Sequence, residues 1–186
     1  LVIEKLIYRK FPEFSGEIFF SHHHISHAAA AFYPSPFSKA SIVVIDGIGE
    51  WACTSIGYGN KEKIELLKEQ RFPHSLGFLY SAFTPYLGFR VNSGEYKMMG
   101  LAPYGKPVFK EYILSKILQQ KPDGEYRLNT KILNYHAALH GTFSFELESK
   151  LGKPRKPNEE FTEHHHNIAS SVQLVFEEIL FHMLAW

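Results

Sequence analysis

The chain has 186 residues, 45% hydrophobic and 21% charged, an ordinary soluble composition able to bury one substantial core as a single domain. A formal net charge of +1 removes any electrostatic case for nucleic acid or an anionic membrane as partner. No apolar run approaches the roughly 20 residues that span a bilayer, and the start LVIEKLIYRK lacks the charged-then-apolar order of a signal peptide.

The first local signal is GEIFFSHHH, where residues 16–21 read as a strand leading into a histidine cluster. HISHAAAAFY follows with helical propensity and ends at Pro34, so the histidines are expected in the first turns of a short helix. In KASIVVIDGIGEWACTSIGYG the β-branched run 42–45 predicts a buried strand. DGIG then predicts a tight turn and residues 51–56 a second strand, giving a hairpin with Asp46 at its tip. Cys53, the single cysteine, lies in that second strand; it excludes an internal disulfide and fits a reducing, cytoplasmic setting.

KEKIELLKEQ, residues 61–70, is read as a third strand pairing with the hairpin, and 72–89 as a helix interrupted or kinked by Pro85. NSGEYKMMGLAPYGKP is rich in glycine and proline and reads as a turning or ligand-facing segment. Residues 108–119 predict an amphipathic helix, KPDGEYRLN a hairpin turn and LGKPRKPNEE a loop. A last helix begins near Thr162, a cap residue. The chain opens at Leu1 and closes at Trp186 inside apolar helical sequence, so a segment of a longer protein is expected.

The histidine cluster holds four imidazoles, His22, His23, His24 and His27. On a helix, residues four apart share a face, so His23 and His27 can aim at one point, while His22 and His24 are turned away by about 100°. Asp46, nineteen residues after His27, ends a strand and supplies a carboxylate. Two histidines and a carboxylate form a facial set that leaves positions open for substrate oxygen and suits divalent iron, manganese or zinc. In DGIGE, Gly47 and Gly49 would present backbone N–H groups to a phosphate without Cβ interference.

HHISHAAAAFYPSPF, VIDGIGEW, FPHSLGFLYSAFTPYLGF and GEYKMMGLAPYG, in this order and spacing, resemble the O-carbamoyltransferases of the NodU/CmcH type, which tailor antibiotics and nodulation factors. The likeness is dense from residue 18 to 105 and resumes more weakly at HNIASSVQLVFEEIL. It implies an α/β, actin-like (ASKHA, ribonuclease-H-like) fold with a mixed sheet and flanking helices, incomplete here. Residues 1–186 would form part of a threonylcarbamoyl-transferase-like domain. The family's usual opening segment, its downstream Gly-Gly segment and its YrdC-like domain are not expected in this chain. In that family the YrdC-like domain makes carbamoyl-adenylate from carbamoyl phosphate and ATP, and the first domain moves the carbamoyl group to a hydroxyl of the acceptor.

By position, the resemblance implies that His23, His27 and Asp46 are both metal ligands and catalytic residues, with a further carboxylate ligand beyond Trp186. Fe2+ is the expected metal, with Mn2+ or Zn2+ as alternatives. Nucleotide or carbamoyl-adenylate contacts are expected from Gly47, Gly49, Glu50, Glu95, Lys97 and Gly100. Lys97 would neutralise charge on the phosphate, and Glu95 would bind ribose or act as a base. Tyr96, Met98, Met99 and Leu101 are expected to pack the turn. Partners would be carbamoyl phosphate, ATP, a hydroxyl-bearing acceptor and the YrdC-like domain, with a homodimer as an option and no nucleic acid or membrane.

Other readings concern relatives that modify tRNA or mature a hydrogenase, or a noncatalytic metal-binding module. His164, His165 and His166 read as a solvated helix cap, and His74 as a residue preceding the helix that follows, with a contact to nucleotide or acceptor as the lesser alternative. His136, His140 and His182 have no spacing partner.

Overall fold

The computed structural model describes residues 2–133 and 143–186; His136 and His140 lie outside them. Helix α1 spans Val2–Lys10 and α2 His23–Phe32. Strands β1 (Lys39–Gly49), β2 (Ala52–Asn60) and β3 (Lys63–Arg71) form an antiparallel sheet in the order β1-β2-β3. Helices α3 (Leu76–Tyr86) and α4 (Glu95–Leu101) follow, then a 3-10 turn, Ala102–Tyr104. The short α5 (Lys110–Tyr112) runs through a π-helical stretch, Ile113–Ile117, into β4 (Leu118–Gln120), which pairs with β5 (Tyr126–Leu128). Helices α6 (Phe145–Leu151) and α7 (Glu163–Leu184) complete the fold.

The architecture is α/β. All strand pairing among the described residues is antiparallel, so the parallel pairing that a mixed sheet requires does not occur among them. Residues 16–21 are irregular rather than a strand, with Phe19 and Phe20 exposed. The amphipathic helix expected over 108–119 breaks at the π-helical stretch, which turns Leu118 into β4. The segment read as a turn around residues 92–107 contains α4 instead. The Glu95 carboxylate accepts hydrogen bonds from the N–H groups of Asn92 (2.9 Å) and Gly94 (3.1 Å), supplying acceptors at the helix start.

Among the described residues, two apolar clusters hold the fold together. The larger joins α3, α4, β4, β5, α6 and α7, and α7 contributes Ile168, Val172, Val175, Ile179 and Met183, a single helical stripe. The smaller packs α2 on the sheet. His24, Ala28 and Phe32, four residues apart, form the buried stripe of α2, and Ala28 and Phe32 meet Ile42 and Val44. The alanine run permits this close approach on the α2 side, and Gly59 permits it on β2, where a Cβ would fall 2.7 Å from the Phe32 ring.

Ser75 connects the sheet to α3. It is fully buried and caps the helix by accepting from the Phe78 N–H at 3.0 Å. Its hydroxyl also lies 2.7 Å from the Gly47 carbonyl oxygen and 3.2 Å from that of Asp46, positioned to donate to them. Gly77 lets the helix close on the strand, since a Cβ there would sit 2.7 Å from the Asp46 carbonyl oxygen.

A second buried polar group holds the far end of α3. Arg155 is 5% exposed, and its Nε donates to the Leu87 carbonyl at 2.7 Å. Its other donors reach the carbonyls of Pro157 and Glu159, and its guanidinium lies 3.9 Å from the centre of the Phe161 ring. Among the described residues no helix is long and apolar enough to cross a membrane.

Ser75→Ala is expected to lower the unfolding free energy by about 1–3 kcal/mol, through loss of the cap and of the bonds to strand carbonyls. Urea denaturation followed by circular dichroism measures it.

Candidate metal centre

The β1–β2 pairing slips between Ile45 and Gly49, so Asp46 sits in a local irregularity of β1. Such an irregularity re-aims a side chain that regular pleating would direct elsewhere. Gly47 and Gly49 therefore belong to β1, and the turn is made by Glu50 and Trp51. Glu50 adopts φ of +61°, the left-handed region, and is the acidic residue at the tip.

Helix α2 begins at His23, after His22 as its cap residue, which places the imidazoles of its first turn over this end of the hairpin. His23 Nε2 lies 2.7 Å from Asp46 Oδ2 and 2.9 Å from His27 Nε2, and His27 Nε2 lies 3.7 Å from Asp46 Oδ2. Zinc–nitrogen bonds near 2.0–2.1 Å imply ligand separations of about 3.3 Å in a tetrahedron and about 2.9 Å for neighbours in an octahedron. The observed triangle brackets these values. The three side chains are about one-third to one-half exposed, leaving solvent access for a further ligand. A proton on His23 Nε2 would have to be shared between His27 and Asp46, whereas a divalent cation accepts a lone pair from each.

The carboxylate is held from its other oxygen. Asp46 Oδ1 accepts from the Gly47 N–H at 2.6 Å, leaving Oδ2 for the imidazoles. Burial alone would raise the Asp46 pKa, but the Gly47 N–H and the His23 and His27 rings outweigh it and hold the carboxyl below its ordinary range. The group is thus a ligand-ready anion at neutral pH.

Gly49 serves the rings through close approach. A Cβ there would fall 2.3 Å from His23 Cδ2 and 2.9 Å from His24 Cδ2, so only glycine lets both imidazoles lie on the strand. His24 belongs to the buried stripe, with Nδ1 2.7 Å from Ser55 Oγ, and burial is the main cause of its lowered pKa. His22 turns outward to Glu50 Oε2 at 3.2 Å.

The residues expected to meet nucleotide fall into two groups. Gly47, Gly49 and Glu50 lie at the metal-site end of the hairpin, with the Gly47 amide engaged by Asp46. Glu95, Lys97 and Gly100 lie on α4, and no hydrogen bond or ion pair joins them to His23, His27 or Asp46. Ser81 Oγ donates to Glu95 at 3.2 Å. Burial would raise the Glu95 pKa, but the N–H groups at the start of α4 and Ser81 lower it.

The other histidines have local tasks. His164 and His182 lie 2.7 Å from the carbonyl oxygens of Leu151 and Lys121, and His165 closes a capping box with Thr162. His166 stacks on Phe161. His74 Nδ1 accepts from the Leu128 N–H at 3.2 Å. Sequence reasoning missed Ser75 and Gly77; the Ser-Leu-Gly that precedes the apolar run 78–83 is the cap signal that finds Ser75.

Gly49→Ala is expected to displace the His23 ring and weaken divalent-metal affinity by at least about tenfold, the lower bound for disturbing a group that orients a ligand. Competitive Co2+ titration against a chromophoric chelator reads this, with the melting temperature as the check on folding.

The sequence matches the family described as carbamoyltransferase N-terminus over residues 3–185. The uncharacterised protein sll1178 of Synechocystis sp. is 48% identical over 164 residues, covering 88% of this chain and 26% of the relative. Nodulation protein NolNO of Sinorhizobium fredii is 33% identical over 170 residues, 91% of this chain and 23% of the relative. Nodulation protein NolO of Bradyrhizobium diazoefficiens is 32% identical over 162 residues, covering 87% and 27%. The chain spans about a quarter of the length of these relatives. With the match running through both apolar clusters and the His23–His27–Asp46 triangle, the chain belongs to the carbamoyltransferase N-terminal family.

Proposed function

We propose that this chain is the part of a carbamoyltransferase that receives carbamoyl-adenylate and passes its carbamoyl group to a hydroxyl of a small-molecule or sugar acceptor. The observation that carries the reading is the convergence of His23 Nε2, His27 Nε2 and Asp46 Oδ2 on one point beside the β1–β2 turn. Family membership, shared with relatives named as nodulation proteins, supports carbamoyl transfer in general.

In the proposed reaction the acceptor oxygen bonds to the carbamoyl carbon, the bond from that carbon to the adenylate oxygen breaks, and AMP leaves with the electron pair. The hydroxyl proton passes to solvent or a base. His23, His27 and Asp46 would hold a divalent cation, Fe2+ in the first instance. Bound there, it would supply Lewis-acid stabilisation of negative charge on oxygen, worth several kcal/mol. Gly49 keeps the His23 ring on the strand, Gly47 keeps Asp46 Oδ2 facing it, and Ser75 fixes the carbonyls of both Asp46 and Gly47. Glu95, Lys97 and Gly100 would meet the nucleotide from α4 as it bridges the two elements. A YrdC-like domain of the longer protein would make the adenylate from ATP and carbamoyl phosphate, and the region as a whole would complete an actin-like fold in the cytoplasm.

The test uses the full-length protein. His27→Ala is expected to reduce carbamoyl transfer by about a hundredfold or more, while adenylate formation, followed as pyrophosphate release, changes by less than about twofold. A variant that stopped forming adenylate yet still transferred a supplied one would overturn the assignment.

A further inference from the structure

A groove of about 410 Å³ opens between the π-helical stretch and the β4–β5 hairpin. Its polar lining comes from His74, Ser115, Lys116, Gln119, Arg127 and Asn129, and no carboxylate contributes to it. Among the described residues no Asp or Glu lies within ion-pairing distance of Lys116 or Arg127. The acids nearest Arg127 along the chain, Asp123 and Glu125, border the adjoining groove with it but are paired with Lys68, at 3.1 and 3.5 Å. Two cations thus face one concavity with no anion among the described residues to neutralise them.

His74 adds an oriented donor. Because Nδ1 accepts from the Leu128 N–H, a neutral ring carries its proton on Nε2. The ring is kept neutral first by burial and then by the neighbouring Arg127 guanidinium. A planar guanidinium, an ammonium, an imidazole N–H and the Gln119 amide around one concavity are the donors that a tetrahedral oxyanion takes, while Ser115 Oγ and Asn129 Nδ2 donate to the carbonyls of Tyr112 and Lys116.

We infer that the His74–Lys116–Arg127 groove binds a phosphate group, either free inorganic phosphate or the phosphate of a small ester. The site is separate from the triangle, and it does not depend on the carbamoyl-transfer reading. It is linked to the triangle through the chain, because His74 lines the groove and the next residue, Ser75, holds the carbonyls of Asp46 and Gly47.

The test is NMR titration of the 186-residue chain at constant ionic strength. Inorganic phosphate is one probe, and ribose 5-phosphate, a phosphate ester without a base, is the other. Saturable shifts centred on the His74 ring and the amides of residues 127–129 are expected. K116Q/R127Q, at two exposed positions, should weaken binding at least tenfold with an unchanged urea midpoint. K61Q/K63Q removes the same charge in the β2–β3 turn and should change binding less than twofold, as should H27A at the metal triangle. Equal affinity for both probes would assign the site to the phosphoryl group alone; tighter ribose 5-phosphate binding would assign it to an ester. Shifts that never saturate, that miss His74, or that fall equally in the two lysine-containing double variants would overturn the proposal.

Discussion

The constraint on which the site depends is the distance of closest approach between α2 and the β1–β2 hairpin. Ala28 and Phe32 pack against Ile42 and Val44, and Gly59 leaves room for the Phe32 ring. About two helical turns toward the start of α2, Gly49 leaves room for the His23 and His24 rings in the same way. The apolar contact therefore sets the height of the helix above the strand, and that height sets the separation of the imidazoles from Asp46. Protein interiors transmit such spacings because they are close-packed. A larger side chain at either glycine would act on the triangle without touching its donor atoms.

Electrostatics then sharpens what packing positions. The Asp46 carboxylate is divided between two tasks, Oδ1 to the Gly47 N–H and Oδ2 to the imidazoles. His24 shares the stripe below and is buried, whereas His22 faces solvent and Glu50. The consecutive His22, His23 and His24 thus meet distinct environments because a helix turns each by about 100° from the last, while His27, one turn on, returns to the His23 face.

That separation explains how much was legible. The i, i+4 relation of His23 and His27 and the strand-ending Asp46 were visible because they follow from helical and β periodicity, as did the β1-β2-β3 meander and the start of α7 at Thr162. The role of Gly49 was read as backbone exposure to phosphate, whereas its immediate task is to accommodate side chains from another element; spacing along the chain carries no such information. The irregularity at 46–48 was likewise hidden, so the turn was placed at DGIG instead of Glu50–Trp51. Residues 92–107 read as a turn because their glycines and prolines outweigh the Glu95 carboxylate, which binds the N–H groups just before α4. The strand read at 16–21 failed because β-propensity without a pairing partner does not make a sheet.

Arg155 has a consequence for how α3 is tethered. Its guanidinium is buried among carbonyl oxygens of Leu87, Pro157 and Glu159 and against the Phe161 ring, with no carboxylate among its hydrogen-bond partners in the described residues. Partners of that kind do not titrate, and ions in solution do not compete for them as they do for an exposed ion pair. The latch between the end of α3 and the 155–161 loop therefore stays closed across changes of acidity and ionic strength that would loosen the Lys110–Glu178 pair at the surface. The helix that braces Asp46 at one end is moored at the other by a charge the solvent scarcely reaches.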